Sequence, residues 1–238
     1  MKSQHPKTPI VFCWSGGKDS AYALYRLLQN ESYEVRYLLS TFNAAYKRLS
    51  MHGVRESLIE TQAKNIGIPL IKVFTTNGSN KEYEDKMLRA LTLLKKEGIN
   101  TIAFGDIFLQ DLRAYREAQN KKADMQSIFP LWEMDTKEII QDFFNQGFKT
   151  ITCCIHTGSL QKKFCGKIID EDFIAALPPT VDICGENGEY HSFCFDGPLF
   201  KTAVPFKKGA LKYSALAMKE NDENATAGFW YCDLLPID

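Results

Sequence analysis

An excess of charge of either sign is missing from this chain: 29 Lys and Arg residues balance 29 Asp and Glu residues. Proteins that coat DNA or lie on anionic membranes carry a basic excess, so neither is an expected partner. Long apolar runs are missing as well. The first, Ile10 to Trp14, follows a polar start from Met1 to Pro9. A membrane span needs about 20 apolar residues, and a signal peptide also needs a longer apolar core than this. The expected compartment is the cytoplasm. No Cys-x-x-Cys pair occurs, so the strongest zinc spacing is absent. The seven cysteines, Cys13, Cys153, Cys154, Cys165, Cys184, Cys194 and Cys232, are odd in number and unaccompanied by an export signal. Reduced thiols are expected rather than a disulfide framework. Cys153 and Cys154 are adjacent in a strand-like run and point to opposite faces, which disfavours one shared metal ion. Internal repeats and low-complexity segments are also lacking.

What the chain does have is 45% apolar residues over 238 positions, enough for a sizeable core. Continuous apolar runs alternate with stretches of helical spacing through the first half. Ile10 to Trp14 reads as a strand buried on both faces. Ala21, Leu24, Leu27 and Leu28 then recur at helical intervals. Val35 to Phe42, Ile68 to Phe74 and Thr101 to Phe104 continue the strands. Val54 to Ala63 and Tyr83 to Leu94 supply the helices between them. This pattern predicts an α/β fold with a doubly wound parallel sheet. Past Phe129 the pattern changes. Asp135 and Glu138 resemble a capping box, and Phe148 to Ile155, Tyr190 to Phe206 and Ala227 to Leu235 read as strand-rich. The division expected is residues 1–128 and a smaller C-terminal α+β domain of residues 129–238.

The segment Ser15-Gly16-Gly17-Lys18-Asp19-Ser20 sits between the first strand and the first helix. Ligands bind at the carboxyl ends of strands in such sheets. Two glycines allow close backbone approach, the helix start offers amides and a favourable dipole to an anion, and Lys18, Ser15 and Ser20 add donors. The segment reads as a phosphate site, the bland alternative being a glycine-rich strand–helix turn with a structural cap; it is not a Walker loop, because Phe12 and Asp19 stand where glycine and Ser/Thr would be required. Asp19 beside phosphate implies either a metal ion or a helix cap. A second cluster, Gly185 to Phe193, places Glu186 and Glu189 three apart with His191 nearby, ahead of Asp196-Gly197. Such a cluster suits Mg²⁺, an ammonium-like group or proton transfer; the bland alternative is a solvated acidic turn followed by a hairpin corner.

The first segment resembles the PP-loop of the adenine-nucleotide α-hydrolase superfamily, whose members cleave ATP between the α- and β-phosphates. The second, with Asp196-Gly197-Pro198-Leu199-Phe200, resembles the C-terminal signature of the diphthine–ammonia ligase family. Ile66-Gly67-Ile68-Pro69, Gly105-Asp106-Ile107 and Pro130-Leu131-Trp132 are similar to further landmarks of that family. The resemblance implies a Rossmann-like PP-loop fold. It also implies an ATP-dependent ligase that adenylates a carboxylate, that of diphthine on elongation factor 2, before ammonia displaces AMP. A source without diphthamide would keep the ATP chemistry and take another acceptor. By the same resemblance Ser15 to Ser20, Ser40, His52, Gly105 and Asp106 bind ATP. Lys18, Asp19, Glu186, Glu189 and Asp196 serve catalysis, and Asp19 helps to place Mg²⁺. The implied partners are ATP, ammonia and a carboxylate-bearing acceptor, on a protein in the case of diphthine; a homodimer is compatible with all of this.

Two alternatives stay open on sequence. A tRNA thiolase needs an activated cysteine, with Cys153, Cys154, Cys165 and Cys184 as candidates. It also needs a basic surface, for which Lys121, Lys122, Lys162, Lys163, Lys207 and Lys208 are available. A nucleotide-binding module without chemistry needs neither, and has no use for the acidic cluster.

Overall fold

Ile10, Val11 and Phe12 are completely buried within strand β1 (Thr8–Cys13). A strand covered on both faces carries no polar alternation, hence the continuous apolar run. The computed structural model describes residues 6–76, 79–215 and 227–237; the polar start of the chain lies outside them for residues 1–5. After β1 come α1 (Lys18–Gln29), β2 (Tyr33–Asn43), the two-residue β3 (Arg48–Leu49) and α2 (Glu56–Ile66). β4 (Leu70–Thr75), α3 (Asn80–Lys96), β5 (Thr101–Ala103), α4 (Gln110–Lys122) and β6 (Gln126–Ile128) complete the first half. Gly67, in the left-handed conformation at φ 84°, ends α2, and the Ser79 side chain caps α3 by accepting from the Glu82 amide.

Five of these strands pair in parallel in the order β4-β2-β1-β5-β6. The order reverses at β1, so a crevice opens where the chain leaves β1 and β5 in opposite directions. This is the expected doubly wound sheet, with two elements unannounced by the pattern. α4 buries only Asn120 along its length and so has no apolar stripe, and β6 is three residues long. β3 matters for the crevice. Phe42 and Asn43 pair with β4 on one edge of β2 and with β3 on the other, the edge that β1 occupies further back. β3 therefore continues past the end of β1 and hangs the 50–55 turn over the loop that follows.

The second half opens with α5 (Thr136–Asn145), capped as expected by Asp135, whose Oδ1 accepts from the Lys137 and Glu138 amides. β7 (Lys149–His156), the short α6 (Glu171–Ala175), β8 (Tyr190–Asp196), β9 (Phe206–Ala215) and β10 (Gly228–Pro236) follow. The strands form a separate antiparallel sheet in the order β8-β7-β10-β9. The strand expected from Tyr190 to Phe206 is corrected: β8 stops at Asp196 and β9 starts at Phe206. These two strands lie on opposite edges of the sheet, so Asp196-Gly197 is not a hairpin corner.

One apolar cluster runs through both sheets, joining Phe12, Leu24 and Leu58 to Phe143, Phe148, Ile151 and Phe193. The Phe143 and Phe148 rings stack with centroids 4.7 Å apart. Tyr22 hydrogen-bonds Asp142, and Tyr25 donates to Gln146 at 2.8 Å, so α5 is fastened along α1. No described helix is long and apolar enough to cross a membrane. Phe143→Ala should lower stability by about 3–5 kcal/mol through lost burial and an unfilled cavity. Urea unfolding should show a lower midpoint with an unchanged slope; an unchanged midpoint would mean that the two sheets do not share this core.

Candidate active site

The loop after β1 is shaped from beneath. Gly16 adopts φ +70°, and a methyl there would meet Gln62 Oε1 at 2.5 Å and Ile59 Cδ1 at 2.7 Å, so glycine is required on both counts. Gln62, on α2, is fully buried. Its Nε2 donates to the carbonyls of Gly16 at 2.9 Å and Cys194 at 2.6 Å, while its Oε1 accepts from Trp14 Nε1 at 3.0 Å. The Cys194 amide also donates to the Gly16 carbonyl at 2.8 Å. Gln62 thus joins the loop to β8. Ser40, expected at the ligand, instead donates to the Trp14 carbonyl at 2.6 Å and supports the loop from behind.

Gly17 is the N-cap of α1 and supplies no capping side chain, so Asp19 is not the cap. The Ser15 amide donates to Ser20 Oγ at 3.2 Å and the Gly17 amide to Ser15 Oγ at 3.4 Å, which curls the loop around the helix start. The Lys18 amide donates to Ser192 Oγ on β8 at 3.0 Å. That hydroxyl takes the place a phosphate oxygen would take at a helix N-terminus. Gly105, past β5, packs on the other side. A methyl there would lie 3.1 Å from the Ser20 amide nitrogen and 3.2 Å from the Asp19 carbonyl, so a side chain would crowd the start of α1.

Lys18 is 2% exposed. Its Nζ bonds both Asp19 oxygens, at 2.6 and 2.8 Å, and the Cys184 carbonyl, and lies 5.4 Å from the centre of the Tyr190 ring. Burial opposes the ammonium charge, but Asp19 and its other neighbours outweigh it, so Lys18 is held protonated more firmly than an ordinary lysine. Partners from residues 184–192 thus face a loop residue 166 or more positions earlier.

Glu186 reaches back into the first half, its Oε1 accepting from the Ile107 amide at 2.8 Å. Burial, then the charge of Asp19, raise its pKa to about 7. Glu189 is 5% exposed, which rules out a solvated turn. Its Oε1 accepts from the Asp182 amide at 2.9 Å and Asn187 Nδ2 at 3.1 Å, fastening its own loop, and its Oε2 is buried with no partner among the described residues. Asp182 Oδ2 accepts from the amides of Cys184 and Glu186, both at 3.0 Å. Asp106 lies at the crevice but is tied to Arg116 of α4, with Nε 2.6 Å from its carboxylate. His52 arrives from the turn after β3 and packs against His191, ring centroids 4.6 Å apart and the planes tilted.

Asp196 is not brought to this group. It ends β8, accepts from the Gly197 amide at 2.9 Å and pairs with Lys149 at 2.9 Å. The thiols are also corrected as candidates. Cys153, Cys154, Cys165 and Cys184 are all buried. Burial pushes Cys154 and Cys165 up to about 12 and raises Cys153 and Cys184 further from reactivity, the opposite of an activated thiol. Gln62, Ser192 and Asp182 were not singled out as site residues from sequence. Gln62 carried a signal, a polar residue on the buried stripe of Leu58, Ile59 and Ala63; the other two carried none.

Two family models match this chain. Residues 8–127 match the diphthamide synthase N-terminal domain and residues 135–219 the diphthamide synthase C-terminal domain. The chain belongs to the diphthamide synthase family. A diphthine–ammonia ligase from Bos taurus is 30% identical over 135 residues, 54% of this chain and 50% of its own length. The match thus spans half of the bovine relative. The diphthine–ammonia ligase of Danio rerio is 25% identical over 242 aligned residues, covering 92% of each chain. Among solved structures, a predicted subunit of a tRNA methyltransferase from Methanocaldococcus jannaschii aligns with a TM-score of 0.42 and 15% identity. It covers 61% of this chain and 80% of that one, a likeness too slight to bear on function. In this family member both sequence motifs, the Ser15–Ser20 loop and the Glu186–Glu189 loop, meet at one place.

Gln62→Leu should cost about 3 kcal/mol, because Trp14 Nε1 and the Cys194 carbonyl lose their partner in a dry interior. Chemical denaturation measures this, and a cost below about 1 kcal/mol would mean that the loop does not depend on Gln62. Glu186 gives a pH signature. Its folded pKa lies above the ordinary 4.5, so its contribution is fully present below pH 4.5 and is lost as pH rises through about 7. Glu186→Gln should therefore flatten the fall in stability across that window; identical profiles for the two proteins would refute the burial of an ionisable carboxyl there.

Proposed function

We propose that this protein is an ATP-dependent ligase that adenylates a carboxylate and passes the acyl group to ammonia, releasing AMP and pyrophosphate. The observation that carries the reading is that Lys18, in the phosphate loop, is enclosed by Asp19 and by the 184–192 segment. The nucleotide half and the acidic half are one site. The family supports diphthine as the acceptor, and the names of the relatives support ammonia as the nitrogen source.

In this reading the loop amides, Lys18, Ser15 and Ser20 hold the phosphates of ATP. A carboxylate oxygen of the acceptor attacks the α-phosphorus and pyrophosphate departs toward Lys18, whose buried charge stabilises it. Ammonia then attacks the acyl carbon and AMP leaves. Glu186, at the turn after β5, supplies the negative charge that attracts an ammonium ion into the crevice, where the ion gives one proton to water and so becomes the ammonia that attacks. Glu189 holds its loop through one oxygen, and the other is available to the same cation. Among the described residues no cluster forms a complete metal cage. Asp19 fits only as a single protein ligand of a Mg²⁺ ion held otherwise by phosphates and water, where the ion would neutralise the phosphates. The buried thiols weigh against thiolase chemistry.

The test is to incubate the protein with α-labelled ATP and magnesium, with and without ammonium, diphthine-bearing elongation factor 2 or tRNA. AMP formation that needs both ammonium and the modified factor is expected. Dependence on tRNA, or binding without turnover, overturns the reading. Lys18→Ala should weaken ATP binding by about 10- to 100-fold, the worth of one or two charge-assisted hydrogen bonds. Unchanged affinity by calorimetry would remove the loop from the nucleotide site.

A further inference from the structure

Two imidazoles sit on the phosphate loop without a part in the reaction as described. His52 comes from the turn that β3 hangs over β1, and His191 from the second position of β8. The rings are 4.6 Å apart between centroids and inclined at 38°. A methyl placed on Gly17 would lie 3.3 Å from His52 Nε2 and 3.1 Å from the Ser192 carbonyl, so His52, and the β8 backbone next to His191, press on the N-cap of α1, where the proposed function puts the phosphates. The charged group that acts on both rings is Lys18 from α1, while behind the turn the Tyr231 ring of β10 lies 2.8 Å from a methyl placed on Gly53. Burial, and then Lys18, bring His191 down to about 4; burial and the neighbouring His191 hold His52 well below the ordinary range. Both rings are therefore uncharged at neutral pH, and each keeps a nitrogen lone pair.

We propose that the His52–His191 pair is the proton acceptor for the nitrogen nucleophile. The proposal rests on the ligase reading and adds a role to it. The lone pair of ammonia forms the C–N bond, the C–O bond to AMP breaks, and AMP leaves with that electron pair. The nitrogen keeps two of its three hydrogens, and the third passes as a proton to an imidazole and then to water. Of the other bases, both Asp19 oxygens bind Lys18, and Glu186 and Glu189 are each bonded through Oε1, their second oxygens being the ones assigned above to the ammonium cation. The bound nucleotide also favours the transfer. Its phosphates place negative charge against Gly17 and offset Lys18, which raises the proton affinity of the pair at the stage when a proton must be taken. Once AMP and pyrophosphate leave, Lys18 and burial expel the proton and reset the pair.

The experiment compares the wild-type protein with His52→Gln and His191→Gln in two assays. One is exchange of labelled pyrophosphate into ATP dependent on diphthine-bearing elongation factor 2. The other is acyl transfer to ammonium chloride or to hydroxylamine, whose attached nitrogen is the more acidic. The expected result is a fall of about 100-fold in the ratio of ammonia transfer to exchange, with a much smaller fall for hydroxylamine. Equal losses for both nucleophiles, or a loss confined to exchange, would make the pair a structural support and overturn the proposal. So would unchanged ammonia transfer in both variants. If the wild-type protein shows no exchange at all, the ligase reading itself falls, an outcome distinct from the others.

Discussion

The buried side-chain amide of Gln62 is the contact on which the site depends. It bonds the Gly16 carbonyl, the Cys194 carbonyl and the Trp14 indole together, so the end of β1, the phosphate loop and β8 share one fastening. A fully buried amide with all these partners is strongly directional, since any displacement of either half leaves a polar group unpaired in a dry interior. Gly16 accepts from the Cys194 amide as well, so the register of β8 against the loop is set from both sides. Ser192, two residues before Cys194, then falls at the Lys18 amide, and His191 at His52. The geometry of the chemistry follows from where that glutamine holds the backbone.

Electrostatics repeats the pattern. Lys18 is a single positive charge in an enclosed space, and a charge in low dielectric acts strongly on its neighbours. Burial first, and Lys18 after it, hold His191 low; burial and then His191 hold His52 low, with Lys18 adding to both; and burial and then Asp19 oppose ionisation of Glu186. None of these groups is within 30 residues of Lys18 along the chain except Asp19, so the titration behaviour of the site exists only when the two sheets are docked. The shared apolar cluster, with Phe143 stacked on Phe148, is what keeps them docked.

The sequence discloses local features far better than it discloses these meetings. The glycines of the loop, its place after a buried strand, and the Asp135 cap are written in neighbouring residues, and the parallel sheet follows from the alternation. α4 left no trace because a helix lying mostly in solvent needs no apolar stripe. The acidic pair could be seen as a pair, but not that Glu189 would fasten its own loop through Asp182 and Asn187 while Glu186 crossed to Ile107. Those assignments depend on which way a glycine-bearing loop folds. Asp196 was carried along by proximity to the motif, and six positions of strand take it to the opposite end of β8. Ser192 looks like any strand serine until β8 is laid against α1.

That same Ser192 hydroxyl couples the two halves. It accepts the Lys18 amide, which a helix N-terminus would otherwise offer to an anion. A phosphate that takes this amide must displace the hydroxyl, exchanging a neutral acceptor for a charged one, and charge-assisted bonds are the stronger. The gain is reduced by whatever β8 loses. In the proposed function, nucleotide binding and the position of β8 are therefore linked, and linkage is reciprocal: an acceptor that shifted the 184–192 segment would alter the affinity of the loop for phosphate, and phosphate on the loop would alter that segment. In the ligase reading proposed above, this arrangement would hold ATP use back until the acceptor arrives, because Ser192, on the strand that follows the acidic loop, fills the anion position of the helix start while it waits.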